Sequence, residues 1–294
     1  LLENTEMKVS GFTFLRNGSM LGYPYIESLQ SLLMVCDEVV VAIGKSEDDT
    51  LERVKAINDP RIRIIETQWN EGMEQRGYVY AQQKMIAQFT CTGDWAFYLE
   101  GDEVIHEDDV AQIRAVMEKH LNNPAVEAIA FDYHHFYGCP DLVAKSPAWY
   151  RQAPRIIRNT IRSWAPDGLF WMVMEKNRRG RYPRAALAHC PIYHYGHVRS
   201  SAKMQEKHRQ VAKYWSHAPK PHDYSQIDAS ILQAFTGTHP LVAQQWLRDY
   251  AEPNFVADPA YRLSKREKRH HLLMKLEAVL GMDLTKKHFT CVAK

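Results

Sequence analysis

Across residues 7–135, short apolar runs of strand character alternate with segments of helical periodicity, and this order restricts the fold more than any other feature of the chain. Lys8 to Leu15, Glu38 to Gly44, Arg61 to Thr67, Trp95 to Leu99 and Ala125 to Tyr133 read as strands. Tyr23 to Met34, Asp49 to Ile57, Gly77 to Phe89 and Asp108 to Leu121 read as the intervening helices. The β-branched run from Glu38 to Gly44 has the character of a buried strand. Strand and helix units that repeat every ~30 residues build an open, mostly parallel α/β sheet flanked by helices rather than a sandwich.

The pattern changes near Phe136, where Pro, Gly, Trp and Arg become frequent and the apolar runs short. Residues 136–200 therefore read as a loop-rich region facing a substrate. Beyond Ser200 helical patterns return, at Ala202 to Trp215, Ile227 to Phe235, Pro240 to Tyr250 and Ser264 to Leu280, so that 201–294 reads as a helical C-terminal extension. With 294 residues, 45% of them hydrophobic, the chain can bury a sizeable core. A formal net charge of +2 implies no nucleic-acid partner. Five scattered cysteines without zinc-type spacing suggest reduced thiols, and no run has the length of a transmembrane helix or the form of a signal peptide, which points to the cytoplasm. Leu1 to Glu6 precede a Met-Lys pair that looks like a natural start.

Chemistry concentrates at two places. The apolar run Trp95 to Leu99 ends in Glu100, Asp102 and Glu103, at the edge where open α/β sheets bind ligands. Carboxylate oxygens there suit Mg²⁺ or Mn²⁺ against a phosphorylated substrate, whereas Glu107, Asp108 and Asp109 are better explained as the acidic first turn of the next helix. The second place is Pro191 to Arg199, in which His194 and His197 stand either side of Gly196. If this segment begins as a strand the two imidazoles point to opposite faces, and one of them, preferably His194, is the metal ligand. Arg199 and Lys203 follow closely enough to neutralise a diphosphate.

Taken in order, Phe14-Leu15-Arg16-Asn17, the stretch Asp37 to Thr50 and the run Asp94 to Glu103 resemble glycosyltransferase family 2, whose members have the Rossmann-like GT-A fold. The likeness covers roughly the first 200 residues. It implies a GT-A catalytic domain over 7–200, with a nucleotide-sugar half at about 7–135, an acceptor half at about 136–200, and 201–294 appended. It further implies a metal-dependent, inverting transfer of a sugar from a nucleotide-sugar donor to a glycan or glycolipid. Glu100-Gly101-Asp102 occupies the position of the family's Asp-x-Asp motif, with Asp102 the main metal ligand and Glu103 a second. The late histidine that often completes the metal shell corresponds to His194, with His197 a further candidate. Arg16 is placed to reach a phosphate or ribose, and Asp48 matches the turn after the second strand, although Asp49 and Thr50 also make an ordinary helix cap. Many members carry a base-binding aspartate where Ile43 and Gly44 stand here.

An inverting transfer needs a base for the acceptor hydroxyl. Asp167, in a Pro-Asp-Gly turn among aromatic residues, is the first candidate and Glu175 the alternate. Basic residues flank that turn, at Arg151, Arg155, Arg158 and Arg162 and again at Arg178, Arg179, Arg181 and Arg184; they form either a solvated face or an attractor for an anionic acceptor. The run Lys265 to His271 leads into Leu272, Leu273, Leu276, Val279 and Leu280, a stripe that either packs on the catalytic domain or makes a peripheral contact at the inner face of a membrane. Two other classes compete. A sugar-phosphate nucleotidyltransferase shares the sheet and the metal carboxylate, but Arg16-Asn17-Gly18-Ser19 is a poor triphosphate cradle; a glycan- or nucleotide-sugar-binding module without turnover is the other.

Overall fold

The computed structural model describes residues 6–177, 179–215, 221–250 and 256–292; Arg178 and residues 1–5 of the N-terminal extension lie outside them. The first half alternates as expected: β1 (Val9–Leu15), α1 (Tyr25–Val35), β2 (Glu38–Gly44), α2 (Thr50–Ala56), β3 (Ile62–Thr67), α3 (Tyr78–Thr90) and β4 (Trp95–Tyr98). After a tight turn come β5 (Glu103–Ile105), α4 (Val110–His120) and β6 (Ala128–Tyr137), the last running four residues beyond the expected Tyr133. The loop-rich region contains β7 (Cys139–Ala144), β8 (Gln152–Arg158), β9 (Ser163–Trp164), β10 (Met172–Lys176) and β11 (Arg179–Arg181), followed by the long β12 (Arg184–His197). The remainder is α5 (Ser201–Ala212), β13 (Leu232–Ala234), α6 (Gln244–Tyr250), α7 (Lys265–Leu280) and β14 (Thr290–Cys291).

The main sheet runs β3-β2-β1-β4-β8-β6, with β12 parallel to β6. β3, β2, β1 and β4 are mutually parallel, and β8 enters antiparallel between β4 and β6. Its buried strands show why their sequences lack polar alternation. Val39, Val41 and Ile43 of β2 point into the layer beneath α1 and α4, with Leu29, Leu32, Ile113 and Met117. Val40 and Ala42 point the other way, towards Met85 and Ala87 of α3. Both faces are covered, so alternate residues pack against different helices rather than against helix and water. β9, β10 and β11 form a separate three-stranded sheet.

One expectation for the last third changes. Ile227 to Phe235 is not a helix: Asp228 caps a single 3₁₀ turn, Ala229–Ile231, and β13 then pairs antiparallel with β7. The free edge of β7 offers hydrogen bonds that a short apolar segment can satisfy as a strand, a tertiary choice that local periodicity does not reveal. The segment after residue 200 also shares structure with what precedes it, since β13 and β14 join the main sheet and α5 lies against the loop that follows β1. None of the five cysteines is paired. No helix among the described residues is long and apolar enough to cross a membrane.

Candidate active site

A cavity of about 470 Å³ opens at the carboxyl ends of β1 and β4, within the ~300–1,000 Å³ typical of small-molecule sites. Phe14, Leu15 and Arg16 enter it from the end of β1, Glu100, Gly101 and Asp102 from the turn after β4, and Lys207, Tyr214 and Trp215 from α5 and its extension. One wall is aromatic. Trp69 meets Tyr80 and Tyr214 edge-on at 5.4 and 5.6 Å, and Phe14 stacks on Tyr98 at 6.2 Å. The Trp69 indole fills the space beside Gly44, where a Cβ would lie 2.3 Å from Nε1. Arg16 lies 5.2 Å from the Trp69 ring and bonds Glu71 and the Tyr214 hydroxyl.

The acidic floor is built by a turn and a strand pair. The Glu103 amide closes the turn on the Glu100 carbonyl at 3.0 Å, and β5 then pairs antiparallel with β12, which sets His194 opposite Glu103. Asp102 is only 4% exposed and is surrounded by cations: Lys207 Nζ lies 3.0 Å and Arg199 Nη2 3.3 Å from its Oδ2. Burial pushes its carboxyl up, but Lys207, His194 and Arg199 outweigh this and hold it well below the usual carboxylate range. Glu100 moves the other way, raised to about 7 by burial and by Glu103 and Asp102 against the pull of Arg155.

The protonation of His194 follows from its partners. The Tyr150 carbonyl can only accept, so His135 donates from Nε2 to it at 2.7 Å and presents a lone pair at Nδ1. His194 must then donate from Nδ1 to His135 Nδ1 at 2.9 Å, which leaves a lone pair on His194 Nε2. Burial, beyond what Asp102 restores, lowers His194 to about 4 and His135 to about 3, so both are neutral near pH 7. The lone pair on Nε2 faces the ionised Asp102 Oδ1 at 3.7 Å, two acceptors with no hydrogen between them. Gly196 keeps this space open, since a Cβ there would lie 2.5 Å from His194 Nε2 and 3.3 Å from Asp102 Oδ2. Glu100, Asp102 and His194 together offer one donor atom each within 4.8 Å of one another. Two carboxylates and a neutral imidazole whose other nitrogen is held by a buried partner fit Mn²⁺ or Mg²⁺.

Two expected ligands are placed elsewhere. Glu103 is fully buried and accepts Arg155 Nε and Nη2 at 2.8 and 2.5 Å, the Tyr133 hydroxyl at 2.8 Å and the Glu100 amide at 3.0 Å. Its lone pairs are spent on a structural ion pair. His197 lies across a register shift in β12, stacked on Tyr137 at 5.5 Å and edge-on to Trp149 at 5.0 Å, outside the donor cluster.

The remaining candidates divide between cavity and scaffold. Arg199 is fully buried, bonded to the Leu21 carbonyl at 2.9 Å as well as to Asp102. Asp48 and Lys203 do not line the cavity; they grip the loop after β1, Asp48 accepting the Met20 amide at 2.7 Å and Lys203 donating to the carbonyls of Ser19 and Met20 at 2.9 Å each. Asp167 is not itself a lining residue; it accepts the Leu169 amide at 2.9 Å, and its neighbours Gly168 and Leu169 line the space. Glu175 is on the β10–β11 hairpin, bonded to Arg181 at 2.6 Å and not among the lining residues, because the outer sheet carries it away. The basic cluster is largely paired: Arg151 with Glu277, Arg155 with Glu103, Arg181 and Arg184 with Glu127, and Arg158 with four main-chain carbonyls from the last residue of α4 to the segment before β6. Trp171 is core and Trp164 partly exposed.

Lys207, Glu71, Tyr214 and Lys84 were not foreseen. Lys84 is completely buried, its ammonium 3.9 Å from the Tyr98 and Trp171 rings and 3.1 Å from the Gly168 carbonyl, which fixes the turn carrying Asp167.

No protein-family model matches the chain, and no curated protein matches it. Among solved structures it is similar to S. aureus TarS 1-349 in complex with UDP-GlcNAc, at 18% identity and a TM-score of 0.41 over 71% of this chain and 66% of that one. It is similar to glucosyl-3-phosphoglycerate synthase from Mycobacterium tuberculosis in complex with Mn²⁺ and UDP-glucose, at 18% identity and 0.31 over 43% and 44% of the two chains. A third similarity is to the mannosyltransferase PcManGT from Pyrobaculum calidifontis in complex with GDP-Man and Mn²⁺, at 24% and 0.32 over 44% and 36%. The matched region spans less than two thirds of each of these structures.

Proposed function

We propose that this chain is a GT-A-type glycosyltransferase that moves a sugar, with inversion, from a nucleotide-sugar donor to a glycan or lipid-linked glycan acceptor. The observation that carries the reading is the His194 Nε2 lone pair turned on the ionised Asp102, with Glu100 beside them, at the carboxyl edge of a parallel sheet. Asp102, His194 and Glu100 would hold a divalent ion there, and when bound it supplies the positive charge that makes a nucleoside diphosphate a good leaving group. Arg16, with Phe14 and the Trp69 wall, suits a nucleoside and its phosphates, being both cationic and aromatic. Lys207 and Arg199 keep Asp102 ionised and add positive charge to the face the diphosphate would meet. Asp167, next to the lining residues Gly168 and Leu169 on the Lys84-supported turn, is the proposed base for the acceptor hydroxyl.

The loop after β1 speaks against nucleotidyl transfer. Its amides are already taken, Asn17 N by Ser46, Gly18 N by Thr50 and Met20 N by Asp48, which leaves few to cradle a triphosphate. The test is thermal unfolding with UDP, GDP, CDP and dTDP, each with Mn²⁺ and with EDTA. One nucleotide should raise the transition by linkage, and EDTA should abolish the rise. A folded protein that responds to none of them would refute the reading.

A further inference from the structure

Helix α7 is mounted with its polar side inward. Glu277 is 8% exposed and takes Arg151 at 2.6 and 3.0 Å, His271 bonds Asp228 at 2.5 Å, and Glu267 receives the Tyr261 hydroxyl at 2.7 Å while closing a capping box with Ser264. The opposite side carries Leu272, Leu276 and Val279, spaced i, i+4 and i+7 in one line and exposed by 60, 46 and 83%. Leu280 and Met282, exposed by 55 and 61%, extend the apolar surface past the helix end. Towards the N-terminus the same line becomes Lys265, Lys268 and Arg269. Beside it lies a groove with Leu273, Leu276 and Leu284 in its wall and Lys265, Arg269 and Lys286 among its other lining residues. The nearby acid Asp283 is neutralised by Arg151 and Lys287.

We propose that this face of α7 docks the protein on a bilayer surface rich in anionic lipid. The apolar turns from Leu276 to Met282 enter the acyl boundary while Lys265, Lys268, Arg269 and Lys286 meet the headgroups. The charge gradient along the helix selects this occupant over a second copy of the chain. Parallel pairing of two such helices sets cation against cation, and antiparallel pairing lays Lys265 and Arg269 over the partner copy's apolar turns; a bilayer offers acid and hydrocarbon within one surface. The inference rests on α7 and is independent of the reading of the cavity.

The experiment is co-sedimentation of the full chain with phosphatidylcholine vesicles, alone or containing about a third phosphatidylglycerol. Binding is expected on the anionic vesicles and not on the neutral ones. It should fall at least about tenfold in Leu276→Glu/Val279→Glu and in Lys268→Glu/Arg269→Glu, with unchanged thermal unfolding because these side chains are exposed. Three results would overturn the proposal: no binding to anionic vesicles at low ionic strength, undiminished binding of Leu276→Glu/Val279→Glu, or a dimer in solution that this double variant converts to monomer.

Discussion

Asp102 and Glu103 are adjacent carboxylates in opposite surroundings, one in the proposed metal cluster and one in a buried ion pair, and the variant Glu103→Gln tests that division. Glu103 is fully buried, its partner Arg155 is 1% exposed, and four hydrogen bonds converge on its two oxygens, every one from a donor. A glutamine amide turns one of those oxygens into a donor facing donors and leaves the guanidinium with Glu100 alone, at 2.9 Å, to balance it. Breaking a buried pair on one side costs about 3–5 kcal/mol. At about 2 °C per kcal/mol for a chain of this size, the unfolding transition should fall by about 6–10 °C. Mn²⁺ binding, followed by the electron paramagnetic resonance of the free ion well below the transition, should be retained, its affinity altered only through the Arg155–Glu100 pair that remains, since Glu103 has no oxygen to spare for a metal. Asp102→Asn should instead abolish Mn²⁺ binding in a folded protein. Adding Arg155→Met to Glu103→Gln should recover much of the lost stability, because the uncompensated charge leaves with the arginine. A Glu103→Gln protein that melts within about 2 °C of the parent, or that stays folded and loses Mn²⁺, would refute the assignment of Glu103 to the ion pair.

Three further outcomes follow from the same geometry. His135→Phe keeps the ring volume but removes the acceptor that fixes the His194 tautomer, and titration should show Mn²⁺ affinity reduced about 10–100-fold in a folded protein. Gly44→Ala drives a methyl into the Trp69 indole and should lower stability by about 1–3 kcal/mol in urea, with a change in tryptophan emission. Burial raises Glu71, but hydrogen bonds from Lys213, Arg16 and Tyr214 win and lower it from 4.5 to about 2. Its folded pKa lies below its unfolded one, so its contribution is full above about pH 4.5 and is lost as pH falls towards 2. Half-exposed, it should add under about 1 kcal/mol, and Glu71→Gln should flatten the acid limb of the urea midpoint only in that window.

The sheet was legible because its signals are local: an apolar run of strand length, a helical stripe and a connection of fixed size can each be read within a dozen or so residues. The place of Glu100 and Asp102 in the cavity lining was legible for the same reason, since they follow a buried strand and strand ends face ligands in this architecture. Ile227 to Phe235 failed because its partner is β7, some ninety residues earlier, and the unpaired edge there outweighs local periodicity. The basic cluster was read as one surface, yet Arg155 is interior and its carboxylate lies 52 residues away in sequence.

Side chains brought from α5 mark the boundary between what a motif can show and what only packing can. Nothing in Ser201 to Ala212 separates Lys207 from Lys203, since both sit on one face of a polar helix, one turn apart, that begins just after Arg199. The difference is made by two anchors. Ser200 caps the helix start, and Lys203 hydrogen-bonds the loop after β1; together they fix the rotation of α5 so that the residue four further on reaches Asp102 and the Gly196 carbonyl. The loop is in turn held by Asp48, so two residues first assigned to the ligand act on the site through the backbone that aims Lys207. The charge balance at Asp102 is therefore a property of how α5 docks on the loop, and a change in that docking alters the acidic floor without touching the Glu100-Gly101-Asp102 motif itself.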